Sequence, residues 1–381
     1  METTDVLIVG GGPAGSTLAW RLRDAGLHVS IMDKREFPRD KVCAGWITPA
    51  VVEELALDTA DYRKERTFQP IHGFRISHLG GKEVESRYDG EPVSFGIRRC
   101  EFDEYLLRRA AAEARTALRL GEAFKGMRRE DGAWVVNDDL RARLVIGAGG
   151  HFCPVARALG AKLGSSESVV AAQEIEFEMS PAQRAACPVD GEVPELYFCR
   201  DLKGYGWVFR KGDWLNVGLG REDNHKLSEH VAEFRQFLID QGRIPSDTPV
   251  KFHGHAYLLY LHAPRPVVAD GAMLIGDAAG LAYPQSGEGI RPAIESALMA
   301  AEVIRAADGD YAQARLAPYQ ARLTERFGDR PSDVGIASLL PDGLKQFIAS
   351  RLLATRWFTR GVVMDRWFLH THQPVLRVGT A

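Results

Sequence analysis

The chain has 381 residues, of which 45% are hydrophobic and 26% charged, with a net charge of -3 at neutral pH. That length predicts more than one domain, and the near-balanced charge gives no footprint for nucleic acid. No apolar run reaches the roughly eighteen residues that span a bilayer, no basic-then-apolar leader opens the chain, and five scattered cysteines make neither a disulfide framework nor a CxxC pair, so a cytoplasmic setting is expected.

Residues 5–9 form a short apolar run that predicts a buried parallel strand. A helix over 14–25 follows, stopped by Gly26, and 29–32 supplies a second strand ending at Asp33. A polar loop over 34–41 leads into 42–46. Residues 74–79 and 82–88, around Gly80-Gly81, predict a β-hairpin. A helix is expected over 101–118 and a strand over 142–147. From 169 to 261 the pattern is β-rich, with strands at 172–177, 195–198 and 214–218 and a helix over 227–241. A buried strand returns at 272–277, a long helix at 289–307, and helices over 313–369.

Gly10-Gly11-Gly12-Pro13-Ala14-Gly15 is a GxGxxG that follows a strand, opens a helix and precedes a second strand, the context this motif requires. Gly10 permits the tight turn, Gly12 lets backbone approach a pyrophosphate, and Gly15 lets helix and strand pack closely. The helix N-terminus then offers free N–H groups to phosphates. Asp33 is placed to accept from adenosine ribose hydroxyls, and its charge disfavours a 2′-phosphate. The fingerprint alone leaves FAD and NAD open. Far downstream, Gly276-Asp277 ends a buried strand, where Asp277 can accept from ribityl hydroxyls. Gly287-Glu288-Gly289-Ile290 then starts a helix whose dipole favours the negative charge of a reduced flavin. Together the two motifs predict FAD.

The same residues resemble FAD-dependent oxidoreductases of the geranylgeranyl reductase type, within the p-hydroxybenzoate-hydroxylase-like superfamily. Residues 10–15 match the FAD fingerprint. Residues 37–45 resemble Pro-x-x-Lys-x-Cys-Gly-Gly, and 205–209 with 216–220 resemble Tyr-x-Trp-x-Phe-Pro and the following strand. Residues 276–290, GDAAGLAYPQSGEGI, resemble the second flavin motif. Arg99, with Phe102 and Asp103, matches Arg-x-x-Phe-Asp, whose Arg lies near the FAD phosphates in that superfamily. The resemblance implies an α/β protein. A Rossmann-like FAD/NAD(P)-binding domain comprises 1–70, 96–168 and 262–310. An inserted antiparallel-sheet substrate domain comprises 71–95 and 169–261, and a helical C-terminal region follows over 311–381. It also implies that FAD is held non-covalently, that Cys43 lies in a loop approaching the flavin, and that Lys34, Lys41, Val42, Ala44 and Gly149 join the cofactor-binding set. Three departures stand out: Gly149 replaces an Asp, Arg210 replaces the Pro after Phe209, and Ala44 replaces the first Gly after the cysteine.

Tyr205 and Trp207 alternate along one strand and share a face, so they are candidates to line an apolar pocket, and Tyr205 to donate a hydrogen bond or proton. Cys43 is a candidate to tune the flavin, donate a proton or merely pack. Arg39 is expected in a solvated loop, Pro284 flanks the loop before the flavin-facing helix, and Glu288 joins the cofactor-binding set, with helix capping as the bland alternative. His253 and His255 share a strand face with His262 nearby, but a third metal ligand is not identifiable, so no metal is expected. In the tail, Arg356-Trp357-Phe358 and Arg366-Trp367-Phe368-Leu369 predict a lid on the substrate domain, with membrane-interface contact as the second reading.

The expected function is reduction of C=C bonds in an apolar, isoprenoid small molecule by hydride from reduced flavin N5, the substrate class coming from the resemblance. Electrons come from NADH, NADPH or ferredoxin. The alternatives are a flavin monooxygenase or halogenase, and a non-redox flavin-dependent cyclase. The Trp-x-Trp-x-Ile-Pro stretch expected of a halogenase is not at 205–210.

Overall fold

The computed structural model describes residues 1–161, 169–223, 226–260, 265–329 and 341–377. Val6, Leu7 and Ile8 are fully buried, as a strand covered on both faces requires. Their strand, Glu2–Val9, pairs in parallel with Val29–Asp33 on one side and Leu140–Gly147 on the other. Thr116–Leu120 and Ala272–Leu274 extend the sheet outward in parallel. Strand order therefore reverses at Glu2–Val9, which puts a crevice at its C-terminal end, where Gly10 begins.

A second, seven-stranded sheet runs in the order His253–Leu258, Val169–Glu178, Trp214–Arg221, Gly204–Lys211, Glu195–Phe198, Gly73–His78 and Val84–Arg87. All its pairings are antiparallel except that between Glu195–Phe198 and Gly73–His78. Ser94–Gly96 leaves this sheet and pairs with Trp46–Ile47 and Gln69–Ile71 in a small third one.

Two expected helices are shorter than their periodicity suggested. The first spans Pro13–Arg21, and the chain then loosens into turns closed by Arg23 N–H to Trp20 O and Ala25 N–H to Leu22 O, before Gly26. The helix expected over 101–118 ends at Ala111, and Thr116–Leu120 is a strand. There, pairing with the exposed edge of Val29–Asp33 outweighs a helical spacing of Leu118 and its neighbours. The long helix spans Ile290–Ala307, and the tail gives helices Gln313–Leu316, Pro318–Phe327 and Asp342–Leu353 and a π-type turn region Phe358–Phe368.

The tail is tied down by buried charge. Arg291, on the long helix, reaches Glu54 at 3.2 Å and Glu295 at 2.9 Å, and Arg326 reaches the same Glu295 at 2.5 Å. Arg291 and Arg326 also donate to the carbonyl of Pro374, while Leu376 N–H donates to Glu54. Burial and the neighbouring Glu295 push the Glu54 carboxyl up to about 8. Removing Arg291 takes the cation from Glu54 and leaves Glu295 with Arg326, both carboxyls still buried. Arg291→Met is therefore expected to cost about 3–5 kcal/mol, read as a shift in the urea midpoint.

Candidate functional site

The glycine turn is set by contact distances. At Gly10 φ is +119°, and a Cβ there would sit 2.4 Å from the Ala148 carbonyl oxygen. At Gly15 a Cβ would meet the Gly10 carbonyl oxygen at 2.0 Å, so helix and strand approach as closely as backbone allows. Gly12 faces open space apart from Arg39 Nη2, 3.4 Å from its would-be Cβ. That opening, above helix amides with no intrahelical acceptor, suits a diphosphate. Asp33 Oδ2 accepts from Gly11 N–H at 2.8 Å and Oδ1 from Arg35 N–H at 3.0 Å, which fixes the carboxylate at the end of its strand.

Four basic side chains gather beside this turn. Arg99 grips Asp103 through two bonds of 2.8 Å, and Arg39 lies 3.2 Å from the same fully buried carboxylate. Arg39 is thus not in a solvated loop: it adds a second cation to the buried Asp103 carboxylate that Arg99 already grips. Lys41 Nζ lies 3.1 Å from His255 Nδ1. Desolvation, opposed by Asp277 and reinforced by Arg99 and Arg39, lowers Lys41 to about 8. Desolvation and then Lys41 itself lower His255 to about 2, so that ring is neutral. His253 shares its strand, while His262 lies outside the described residues. Among the described residues no group of three His, Cys, Asp or Glu is arranged to hold a metal.

Cys43 is held by the seven-stranded sheet. Its N–H donates to Glu174 Oε1 at 2.7 Å, and its carbonyl accepts from Asn216 Nδ2 at 3.2 Å. The Cys43 thiol also lies against the Arg99 guanidinium. Asn216 Oδ1 takes the Trp207 indole N–H at 2.7 Å, and Lys211 pairs with Glu176 at 2.8 Å within the same network. Burial, opposed by the Cys43 amide and Lys211, pushes Glu174 up to about 8. The departure at Ala44 has a local reason. Gly45 carries the positive φ of +69° and lies where a Cβ would be 2.3 Å from Ile97 O, so glycine is needed there and not at 44.

The downstream motif closes on the upstream one. A Cβ on Gly276 would touch both Ala14 and Ala293, and one on Gly289 would lie 3.0 Å from Asp277 Oδ1. Gly289, not Glu288, is the N-cap of the Ile290–Ala307 helix. Glu288 is buried with no side-chain hydrogen-bond partner, and burial, opposed by Arg291, raises it to about 7. The capping alternative for Glu288 therefore fails. The Tyr205 hydroxyl donates to the Ser286 carbonyl, and a Cβ on Gly287 would meet the Tyr257 hydroxyl at 2.3 Å. Two tyrosines of the seven-stranded sheet therefore hold the loop that begins near Pro284. Arg265, buried, donates to the carbonyls of His151 and Ala278, tying the Gly149–Gly150 turn to the Asp277 turn. A side chain at Gly149 would meet only ordinary contacts with Cys153, so space does not dictate that departure.

Tyr205 and Trp207 do share a face, their ring centroids 6.0 Å apart. Trp46 packs edge-on against Phe74, Phe209 and Phe368 in the same cluster, and Phe368 also meets Tyr205 at 5.2 Å. The tail thus lies on the seven-stranded sheet, its inner face formed by Leu353, Val363, Met364 and Phe368. Arg210 points the opposite way, donating to Cys187 O and Gly212 O. Glu174, Asn216, Tyr257 and Arg265 escaped sequence reasoning. The only signal was a buried-strand pattern interrupted by a carboxylate at 174 and an amide at 216. Lys34 and Val42 lie within the 33–45 segment, and no side-chain bond singles either out.

A dinucleotide turn, a downstream Asp-and-helix motif and a separate aromatic sheet define a flavoprotein oxidoreductase. A family model described as "FAD binding domain" matches residues 3–207, and the chain belongs to that family. It is an FAD-dependent oxidoreductase of the geranylgeranyl reductase type. A digeranylgeranylglycerophospholipid reductase of Thermoplasma acidophilum is 29% identical over 347 residues, covering 86% of this chain and 85% of the relative. A menaquinone reductase of Mycobacterium tuberculosis is 29% identical over 351 residues, covering 86% and 81%. The crystal structure of a geranylgeranyl bacteriochlorophyll reductase-like protein from Thermoplasma acidophilum superposes with a TM-score of 0.74 at 25% identity, covering 93% of this chain and 88% of that one.

Loss of the Lys41 cation is expected to weaken FAD binding. Lys41→Met should raise the Kd by about 10–100-fold, the range for one charge-assisted hydrogen bond, measured by titrating apoprotein with FAD. Because the free Lys41 sits near 8, its charge is lost as pH rises through that value. Wild-type affinity should therefore fall above pH 8, while the Met variant stays flat.

Proposed function

We propose that the protein reduces carbon–carbon double bonds of a polyisoprenoid chain carried by a lipid-like molecule. Both relatives are named as reductases of molecules that share a long isoprenoid chain and differ in headgroup. The reading rests on one observation. The aromatic face of the substrate sheet is bolted, through Tyr205, to the loop that begins the Ile290–Ala307 helix. An apolar chain laid along Trp46, Tyr205 and Phe368 would then reach the same loop that faces the cofactor.

FAD, held by Gly10–Gly15, Asp33, the Lys41 cluster and Asp277, supplies hydride when reduced. The chain's own residues do the rest. The aromatic cluster excludes water and orients the alkene. Tyr205 is not the proton source, because its hydroxyl proton is committed to Ser286 and burial raises it well above the usual phenol range. Glu288 is the better proton carrier. Its carboxyl is buried with no side-chain hydrogen-bond partner, and burial, opposed by the charge and backbone N–H of Arg291, raises it to about 7. Alkene reduction adds one hydride and one proton, and Glu288 delivers the latter to the carbon that does not receive hydride.

The test is anaerobic. Photoreduced protein mixed with a polyprenyl lipid should reoxidise and yield the saturated chain. No reoxidation without oxygen, with rapid reoxidation and oxygenated product in air, would instead assign a monooxygenase. Turnover without consumption of reducing equivalents would assign a cyclase.

Glu288→Gln should keep FAD but slow alkene-dependent reoxidation by about a hundredfold, the scale of a lost general acid. A general acid must be protonated, so the wild-type rate should fall as pH rises through about 7. That limb should vanish in the Gln variant.

A further inference from the structure

A helix lying on a globular protein hides its apolar stripe and shows its polar one. The helix Asp342–Leu353 shows apolar side chains on the outside as well. Leu344, Phe347 and Ile348 are 44%, 57% and 41% exposed. Their spacing puts them, with Arg351 one turn on, in a single sector of the helix. Leu353 is buried in the aromatic core, and at about 100° per residue it faces the opposite side. Trp357, just beyond the helix, is 65% exposed. Of seven large apolar residues strongly exposed among the described ones, these four fall within fourteen consecutive positions, 344–357. Single exposed apolar residues are normal, whereas such a concentration marks a contact surface.

Charge identifies the partner. Residues 343–364 contain Lys345, Arg351, Arg356 and Arg360 and no Asp or Glu, in a chain whose net charge is -3. Arg351 and Arg356 are exposed, and the Arg351 guanidinium lies over the Phe347 ring, 5.2 Å from its centroid. A shallow groove beside the helix adds Arg200 and Leu79 next to Phe347. Large apolar side chains rimmed by cations match the interfacial region of a membrane with anionic headgroups. A second copy of the chain fits worse, because a face turned against itself would oppose its own cations. Among the described residues no helix is long and apolar enough to cross a membrane, so the contact is with the surface.

We propose that the 344–357 face docks the protein onto an anionic lipid bilayer, with Leu344, Phe347, Ile348 and Trp357 inserted at the acyl boundary and Arg351 and Arg356 at the headgroups. The inference rests on the lipid-like substrate proposed above. It gives that substrate a short path, since the inner face of the same tail contributes Phe368 to the aromatic cluster around Tyr205.

Full-length, FAD-loaded protein is mixed with vesicles of phosphatidylcholine alone, or with roughly a third phosphatidylglycerol, and bound protein is separated by flotation. Binding to the anionic vesicles should exceed that to neutral ones by about tenfold or more, and should weaken at high salt. The triple variant L344S/F347S/I348S and the pair R351Q/R356Q should each lose at least about tenfold in partitioning, while keeping bound flavin and reoxidation by a detergent-dispersed short polyprenyl substrate. Equal binding to both vesicle types, no binding to either, or binding untouched by both variants would overturn the proposal. So would a concentration-dependent dimer abolished by the triple variant, which would assign the face to a second copy. Flotation requires no turnover, so docking and alkene reduction can fail separately.

Discussion

A loop that crosses from a dinucleotide fold onto a second sheet must bury its backbone polar groups without a strand to pair them. Here the Cys43 N–H goes to Glu174 and its carbonyl to Asn216, two side chains of that second sheet. Each would be an odd choice for a buried strand. Glu174 is 6% exposed and Asn216 1% exposed, and an unpaired group at either position would cost about 1–3 kcal/mol. The bonds to Cys43 remove that cost and fix the loop at the same time. The position of Cys43, its contact with Arg99 and the orientation of Trp207 through Asn216 all follow from this one junction.

The junction also explains why the charges nearby settle as they do. Lys211 is almost fully buried, yet it has Glu176 at 2.8 Å. With that cation committed to Glu176, Glu174 keeps its proton more readily, and burial rather than any neighbour dominates its shift. On the other side of the loop, Lys41 is surrounded by Arg39, Arg99 and a neutral His255, with Asp277 as its main opposing charge. A polyanion between the glycine turn and Asp277 would relieve this crowding of cations. The basic cluster thus favours a dinucleotide through its unfavourable state without one.

Legibility of the sequence followed the range of the interactions. The turn at 10–15, Asp33 and the 276–290 motif were readable because each is set by neighbours within one strand–turn–helix unit. Tyr205 and Trp207 were readable as partners because strand alternation places them on one face. Glu174, Asn216, Tyr257 and Arg265 were not, since each acts on a loop at least twelve positions away, at Cys43, Gly287 or the 149–151 and 277–278 turns. Arg39 was misjudged for the same reason: its partner Asp103 lies on a different element. The helix expected over 101–118 failed at its end because periodicity does not report a free sheet edge. Glu288 looked like a helix cap from position alone, and only its burial without a side-chain hydrogen-bond partner separates it from one.

The tail was read as a lid or a membrane contact, and its two faces explain why neither description is sufficient alone. The inner face is part of a core built from distant stretches that include Trp46, Phe74, Tyr205 to Phe209 and Leu353 to Phe368. Without the last stretch, Trp46 and Tyr205 would each lose an edge-on aromatic partner, a contact worth about 0.5–1.5 kcal/mol apiece beyond area burial. The end of the tail is meanwhile clamped by the Glu54, Arg291, Glu295 and Arg326 cluster, whose members Arg291 and Glu295 sit on the long helix that Gly289 begins. A rigid anchor on that helix and an apolar seat on the seven-stranded sheet leave the tail little freedom to swing as one piece. The exposed apolar sector lies on the outer side of the tail helix, beside the sheet edge at Leu79, so the tail shows one apolar face to the core and a second to solvent.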